Sequence, residues 1–152
     1  MCGETVKLGN TRFRVVGWVN LDFMLPEAEA WLKQSEADWT AAQANLEAGL
    51  YFMAAFAVHQ AVEKALKAAI VERLRRIPPR TPDLVELGRL LAVPEEVAAA
   101  LRRINPHYTV SRYPDAANGI PAEQYDGELA QELLNLGERV RTWVRWALTG
   151  KE

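Results

Sequence analysis

The sequence predicts an all-α protein, an up-and-down antiparallel bundle of four to five helices. From residue 26 onward, apolar residues recur at spacings of three and four, which is the period of amphipathic helices. The connections between these segments are short, and the chain shows neither an internal repeat nor a second apolar core. With 152 residues, of which 49% are hydrophobic, it is long enough to fold as one domain.

The segment before the helices has the pattern of strands. Apolar and polar residues alternate on both sides of the Gly9-Asn10 pair, a dipeptide typical of a tight turn between two strands. This pattern predicts a short N-terminal β-hairpin. A two-stranded hairpin is only marginally stable by itself, so the alternative is that residues 1–23 form an appendage to a domain spanning 24–149. Both interpretations stay open.

Two long helices are predicted to follow. Pro26 suits the first turn of the first helix, and Gly49 suits its end. The second helix runs from about residue 51 to 75 and is rich in alanine, which indicates close approach of its neighbours. Pro78-Pro79 end it.

Two short helices and one long helix complete the bundle. Thr81 is predicted to cap the first short helix, with Pro82 at its first position, and Pro94 to start the second. The final helix keeps its apolar period for five turns, and Asp126 is its predicted cap. We expect the second and the final helix to be the longest two and to pack against each other.

The segment "SRYPDAANGIPAEQYD", residues 111–126, is predicted to be a non-helical loop because of its prolines and polar residues. Arg112 offers a planar fork for a phosphate, and Tyr113 and Tyr125 offer stacking faces. In the alternative, the loop is strapped across the bundle, with Arg112 paired to Asp115 or to a carboxylate of a neighbouring helix and with Tyr113 filling the core. The sequence does not decide between these two.

Composition limits the class of function. The net charge is −2, so the chain as a whole is not a basic nucleic-acid binder. A single cysteine, Cys2, rules out an internal disulfide and fits a reducing compartment. No apolar run reaches the roughly 18 residues of a membrane span. We therefore expect a cytoplasmic protein without membrane contact, and we find no motif for a cofactor or a metal ion.

His59, Glu63 and Lys67 share one face of the second helix at intervals of four residues. They form either a polar groove between helices or a solvated face with ion pairs. If the groove lies beside the 111–126 segment, Lys64 or Lys67 would supply a second cation to a ligand at Arg112.

Four tryptophans exceed what a thin bundle readily buries: Trp31, Trp39, Trp143 and Trp146. A surplus of apolar surface favours self-association, so we expect a homodimer.

Three motifs together carry a resemblance to a known family. The stretches "YFMAAFAVHQAVEKALKAAI", "RTPDLVEL" and "RYPDA" occur in this order. With them the chain resembles the HEPN domain (higher eukaryotes and prokaryotes nucleotide-binding) over roughly residues 25–148. The resemblance implies an up-and-down bundle, frequent homodimers and frequent pairing with minimal nucleotidyltransferases in toxin–antitoxin-like modules. Some members of the family are metal-independent ribonucleases.

The ribonuclease motif of the family, Arg-x(4–6)-His, is met in spacing by Arg102 and His107. Its surroundings differ, because Arg103 stands where a small polar residue is common and Pro106 breaks the helix just before the histidine. A His-x-Tyr adenylylation motif is also not met, since Thr109 stands at the position of the tyrosine.

The sequence therefore favours a non-catalytic module that binds a nucleotide or pairs with a nucleotidyltransferase. The alternatives are a metal-independent ribonuclease toxin using Arg102 and His107, and a self-associating helical adaptor. The candidate nucleotide-binding residues are Arg112, Tyr113, Lys64, Lys67 and His59.

Overall fold

The computed structural model describes residues 4–8, 11–16, 19–20 and 24–149. Near the N-terminus lie the strands β1 Glu4–Leu8, β2 Thr11–Val16 and β3 Val19–Asn20. The remaining elements are the helices α1 Pro26–Glu47, α2 Tyr51–Leu74, α3 Leu84–Leu90, α4 Glu95–Ile104, α5 His107–Val110, α6 Pro114–Ala117, α7 Pro121–Gln124 and α8 Gly127–Thr149.

The all-α fold is confirmed. Helices α1, α2 and α8 are the long elements, and α2 is the central one, packed against both α1 and α8. Nearly all of α2 from Ala54 to Val71 is buried. The two longest helices are α2 and α8, as the sequence predicted, and they pack on each other.

The alanine-rich face of α2 does bring the helices close together. Gly137 of α8 faces the crossing, where a Cβ atom added to it would lie 2.9 Å from the Trp39 ring and 3.0 Å from Cγ1 of Val58. Trp39 comes from α1 and Val58 from α2. A side chain at position 137 would therefore push three helices apart.

Most helix ends follow the sequence signals. Gly49 has φ +76°, the left-handed conformation that suits a residue just past a helix. Asp126 Oδ1 accepts a hydrogen bond from the Leu129 N–H at 2.8 Å, as expected of a cap.

The predicted start of α3 is wrong by two residues. The cap is Asp83, whose carboxylate accepts from the N–H groups of Val85 and Glu86. Thr81 Oγ1 instead accepts from the Asp83 N–H. A carboxylate satisfies two helix-end donors and also interacts favourably with the positive end of the helix dipole, so it outcompetes the threonine hydroxyl. Helix α4 has the predicted start, since its first residue Glu95 directly follows Pro94, which is its cap.

The segment 111–126 is not the continuous loop that the sequence predicted. The five helices of seven or more residues in the described chain match the predicted bundle, but three single-turn helices, α5, α6 and α7, are added between α4 and α8. Pro114 and Pro121 begin α6 and α7. Proline fixes φ near the helical value and needs no N–H in the first turn, so it can start a helical turn as readily as it stops one.

The predicted hairpin is present. Strands β1 and β2 pair antiparallel, with Val6 opposite Phe13 and Leu8 opposite Thr11, and β3 adds a short third strand. The Gly9-Asn10 turn itself lies outside the described residues. Arg14 of β2 forms an ion pair with Glu29 of α1 at 2.8 Å. The division of the chain between residues 23 and 24 stays a prediction.

None of the helices in the described part of the chain combines the length and the apolar character that a membrane span requires.

Candidate functional site

An arginine enclosed by aromatic rings lies where α5 ends. The guanidinium carbon of Arg112 lies 4.4 Å from the ring centroids of Phe56 and Tyr108, and 4.8 Å from that of Tyr113. Its Nε donates a hydrogen bond to the Tyr108 carbonyl at 2.8 Å. Contacts of this kind with ring faces hold a guanidinium in a fixed orientation without neutralising its charge.

The charge of Arg112 has no carboxylate partner within 4.0 Å in the described part of the chain. It therefore has neither of the pairings that the strapped-loop alternative offered, with Asp115 or with a carboxylate of a neighbouring helix. Tyr113 is 47% exposed and so does not fill the core, whereas Tyr125 is buried and offers no stacking face. Arg112 and Tyr113 therefore form an accessible cation with an aromatic face beside it.

A hydrogen-bonded chain of polar side chains runs beneath this surface. Lys64 Nζ lies 2.6 Å from Asp38 Oδ2 on α1 and donates to Gln60 Oε1 at 3.1 Å. Gln60 Nε2 lies 3.3 Å from Nδ1 of the buried His59. In this network Nδ1 accepts, which places the imidazole proton on Nε2.

His59 is neutral at physiological pH. Burial lowers the pKa of His59 to about 4, and the positive charge of Arg112 acts in the same direction. The Pro82 carbonyl and the Asn105 side chain are near enough to oppose this lowering of the pKa. Neither makes a hydrogen bond of normal geometry to Nε2, which has no partner among the described residues.

The ring of His59 packs against the buried side of Tyr108. Its ring centroid lies 5.1 Å from that of Tyr108, the residue whose ring and carbonyl both hold Arg112. Because His59 is completely buried, it positions Tyr108 and does not itself contact a ligand at the surface.

A shallow cavity of about 250 Å³ opens beside Tyr108. Its lining consists of Thr81, Pro82, Asp83, Asn105, Tyr108 and Thr109. Asn105 fixes this wall, since its Oδ1 accepts from the Leu84 N–H at 2.9 Å and its Nδ2 donates to Asp83 Oδ1 at 3.1 Å. These hydrogen bonds hold the "TPDL" segment next to Tyr108.

The two lysine candidates lie elsewhere. Lys64 is neutralised by Asp38, and Lys67 lies 3.0 Å from Glu63 and 5.2 Å from the Trp31 ring centroid. In the described chain neither lysine contacts Arg112. The face shared by His59, Glu63 and Lys67 is a polar face between helices rather than a solvated one, because two of the three residues are buried.

Arg102 and His107 are not brought together by any contact between described residues. Arg102 lies on the exposed face of α4, 2.6 Å from Glu95. His107 Nδ1 lies 2.5 Å from the Tyr125 hydroxyl. Burial lowers the pKa of His107, and burial raises the pKa of Tyr125 to about 12, so a neutral imidazole accepts from a phenol at neutral pH.

Sequence reasoning missed Phe56, Tyr108 and Gln60 as parts of the site. Phe56 and His59 are three residues apart on α2, so this pair shares a helical face. This spacing was readable in the sequence. Tyr108 lies in α5, which directly follows Pro106, where the sequence predicts that the helix breaks, so no helical pattern indicates its role.

The chemistry that this arrangement offers is binding. A fixed guanidinium and an exposed phenol ring suit a phosphate and a flat ring. The nearest carboxylate in the cavity wall, Asp83, is already occupied by the α3 cap and by Asn105. Among the described residues, no group of three or more His, Cys, Asp or Glu side chains could hold a metal ion.

Comparison with known proteins places this geometry in a family. A model of the HEPN domain matches residues 28–147. The chain is similar to the crystal structure of TT1696 from Thermus thermophilus, with a TM-score of 0.73 and 31% identity over 82% of this chain and 100% of that one. It is also similar to the crystal structure of ST0689, an archaeal HEPN homologue, with a TM-score of 0.69 and 30% identity over 82% and 99% of the two chains. No curated protein matches.

The matched range contains α2, the "TPDL" segment and Arg112 with its aromatic neighbours, so the motifs and the fold agree. The chain belongs to the HEPN domain family.

Proposed function

We propose that this protein is a non-catalytic HEPN module that binds a nucleotide at the surface formed by Arg112 and Tyr113. The observation that carries the proposal is the half-buried guanidinium of Arg112, which lies among three aromatic rings without a carboxylate partner in the described chain. A partly desolvated cation without a counter-charge favours an anionic ligand.

The geometry indicates how a nucleotide would bind. Only Nε of Arg112 is used in a hydrogen bond within the described chain, so both terminal nitrogens can donate to two phosphate oxygens. Tyr113 lies next to the guanidinium and is exposed, so a base can stack on its ring. Phe56 and Tyr108, supported by His59, keep Arg112 in place.

Calorimetry tests the proposal with adenosine and guanosine triphosphates as probes and with the matching nucleosides as phosphate-free controls. We expect Arg112→Ala to weaken nucleotide binding by about 10- to 100-fold, the loss typical of one or two charge-assisted hydrogen bonds. Arg112→Lys should restore little, because an ammonium cannot bind two oxygens in one plane. Tyr113→Ala should weaken the binding of both nucleotides and nucleosides.

Arg89→Ala is the matched control, since Arg89 is exposed and forms no ion pair in the described chain. Nucleotide affinity that stays unchanged in Arg112→Ala contradicts the proposed site. An equal loss in Arg89→Ala would show that the affinity reflects net charge alone.

The ribonuclease alternative is tested in the same preparation. Its two candidate residues are engaged separately, Arg102 with Glu95 and His107 with Tyr125. We therefore expect no metal-independent cleavage of RNA above the level of a buffer control. Cleavage that disappears in His107→Ala would replace the binding proposal by the ribonuclease one.

The family resemblance supports a further part of the proposal, a partnership with a minimal nucleotidyltransferase in a toxin–antitoxin-like pair. A nucleotidyltransferase gene beside the gene for this chain, and co-purification of the two products, are the expected results. If neither is found and no nucleotide binds, the self-associating adaptor becomes the better interpretation.

A further inference from the structure

A second cavity lies away from the Arg112 surface, at the end of α2. It has a volume of about 620 Å³, within the range of small-molecule sites. Its apolar lining is formed by Leu25, Trp31, Val71, Ile77, Pro78 and Pro79. We call this cavity the α2-end cleft.

Cations line the same cleft. Lys67, Arg75, Arg76 and Arg80 contribute to its wall, against the single carboxylate of Glu27. Lys67 pairs with Glu63, and Arg75 lies 3.8 Å from Glu72. Arg76 and Arg80 have no carboxylate within ion-pair distance in the described chain, so their charges are available to a ligand.

The helix dipole explains only part of this charge. Cations stabilise the carbonyl end of a helix, but the effect is confined to the last turn. Helix α2 ends at Leu74, so Arg76 and Arg80 lie beyond it. Ile77, between them, is 89% exposed, which leaves a large apolar side chain at the edge of a cationic wall.

Arg75 occupies a backbone position that favours glycine. Its φ of 55° and ψ of 44° are in the left-handed region, which is strained for a residue with a Cβ atom. Glycine would end α2 with less strain at this position. An arginine here indicates a role for its side chain, which lines the cleft.

We propose that the α2-end cleft is a binding site for a soluble amphipathic anion, a molecule with an apolar body and a phosphate or carboxylate group. The apolar body lies along Trp31, Val71 and the two prolines, with Ile77 at the exposed edge. The anionic group lies against Arg76 and Arg80, with Arg75 beside them. The proposal does not depend on nucleotide binding at Arg112.

Calorimetry with octyl phosphate, kept below its micelle concentration, tests the site. Octyl glucoside has the same chain without the charge, and inorganic phosphate has the charge without the chain. Octyl phosphate should bind at least about tenfold more tightly than either, because only it satisfies both parts of the cleft. Absence of binding at millimolar octyl phosphate overturns the proposal, as does equal binding of either control compound.

Variants separate the two parts of the site. The double variant, Arg76→Ala with Arg80→Ala, should bind octyl phosphate about tenfold or more weakly than the wild type. Ile77→Ser should weaken octyl phosphate and leave the weak binding of inorganic phosphate unchanged. Both changes are at exposed positions, so folding is preserved.

Arg75→Gly gives the sharpest test. It should raise the midpoint of thermal unfolding by relieving the left-handed strain, while it weakens octyl phosphate binding. Arg139→Ala, an exposed arginine that lines a different cavity, is the control and should change neither. An equal loss of octyl phosphate binding in Arg139→Ala, or unchanged binding in Arg75→Gly and in the double variant, contradicts the proposal.

Discussion

The side chains around Arg112 show how burial sets the charge of individual residues. Arginine stays protonated in proteins, and the guanidinium of Arg112 is surrounded by aromatic faces rather than paired with a carboxylate. His59, whose ring contacts that of Tyr108, loses its charge because it is completely buried and because the positive charge of Arg112 acts on it. One cation is thereby kept at the surface and a second is avoided in the core.

The neutral state of His59 predicts a dependence of stability on pH. The pKa of His59 is about 4 in the folded chain and returns to 6.5 on unfolding. Below pH 6.5 the unfolded state therefore binds a proton that the folded state does not, so the free energy of unfolding falls as pH decreases. The contribution is complete above pH 6.5, and about 3 kcal/mol of it is lost by pH 4.

Urea unfolding at a series of pH values between 7 and 4 measures this loss. His107, whose pKa is also lowered by burial, contributes in the same direction. His59→Gln is therefore the matched variant, and its unfolding free energy should depend less on pH than that of the wild type. Equal slopes for the two proteins would contradict the assignment to His59.

Helix α8 packs closely against α1 and α2 at Gly137. Gly137 lets the α8 backbone approach the Trp39 ring and Val58. On the same helix, Arg141 is buried, forms an ion pair with Glu36 of α1 at 2.8 Å and stacks on Trp39 at 4.3 Å. The close packing at Gly137 and the ion pair of Arg141 with Glu36 together hold α8 against α1.

Gly137→Ala tests the closeness of this crossing. In a helix, alanine is more favourable than glycine by about 1 kcal/mol. At an uncrowded site the substitution would therefore stabilise the protein. Here the added Cβ meets carbon atoms of the Trp39 ring and of the Val58 side chain at 2.9 and 3.0 Å. We expect a net loss of about 1–3 kcal/mol in the free energy of unfolding.

Denaturant unfolding measures this change, with Thr142→Ala at an exposed position of α8 as the control. The control should be neutral or slightly stabilising. A stabilised Gly137→Ala protein would show that the three helices are not closely packed at this position.

At the scale of the whole molecule, the four tryptophans that predicted self-association differ in their exposure. Trp39 is buried beneath Arg141, so it adds almost nothing to the exposed apolar surface. Trp146 is 36% exposed, with its ring 6.1 Å from that of Trp143 and with the Arg73 guanidinium 5.7 Å from it. Trp146, at the end of α8, is thus the exposed member of the four tryptophans.

Self-association stays a prediction, and we assign it to the surface around Trp146. Light scattering at micromolar concentration should give twice the 17.1 kDa mass of the chain. Trp146→Ser should shift the mass toward the monomer, whereas Ile120→Ser, at an exposed apolar residue between α6 and α7, should not. A monomer mass for the wild type would contradict the homodimer.

The sequence by itself determined the features that depend on neighbours along the chain. The period of apolar residues predicted the long helices, and Gly49 and Asp126 marked where two of them end and begin. The order of the three motifs identified the family. These signals are local, because a helix face or a cap is built from residues within one or two turns of each other.

Only the tertiary structure decided which partners each candidate side chain has. Lys64, a candidate ligand, forms an ion pair with Asp38, 26 residues earlier in the chain. Arg112 lies on Phe56, which comes from a different helix, so its environment could not be read from the "RYPDA" motif. A pattern along the chain gives the side of a helix on which a residue lies, but the helix that packs against that side sets its burial, its partners and its charge.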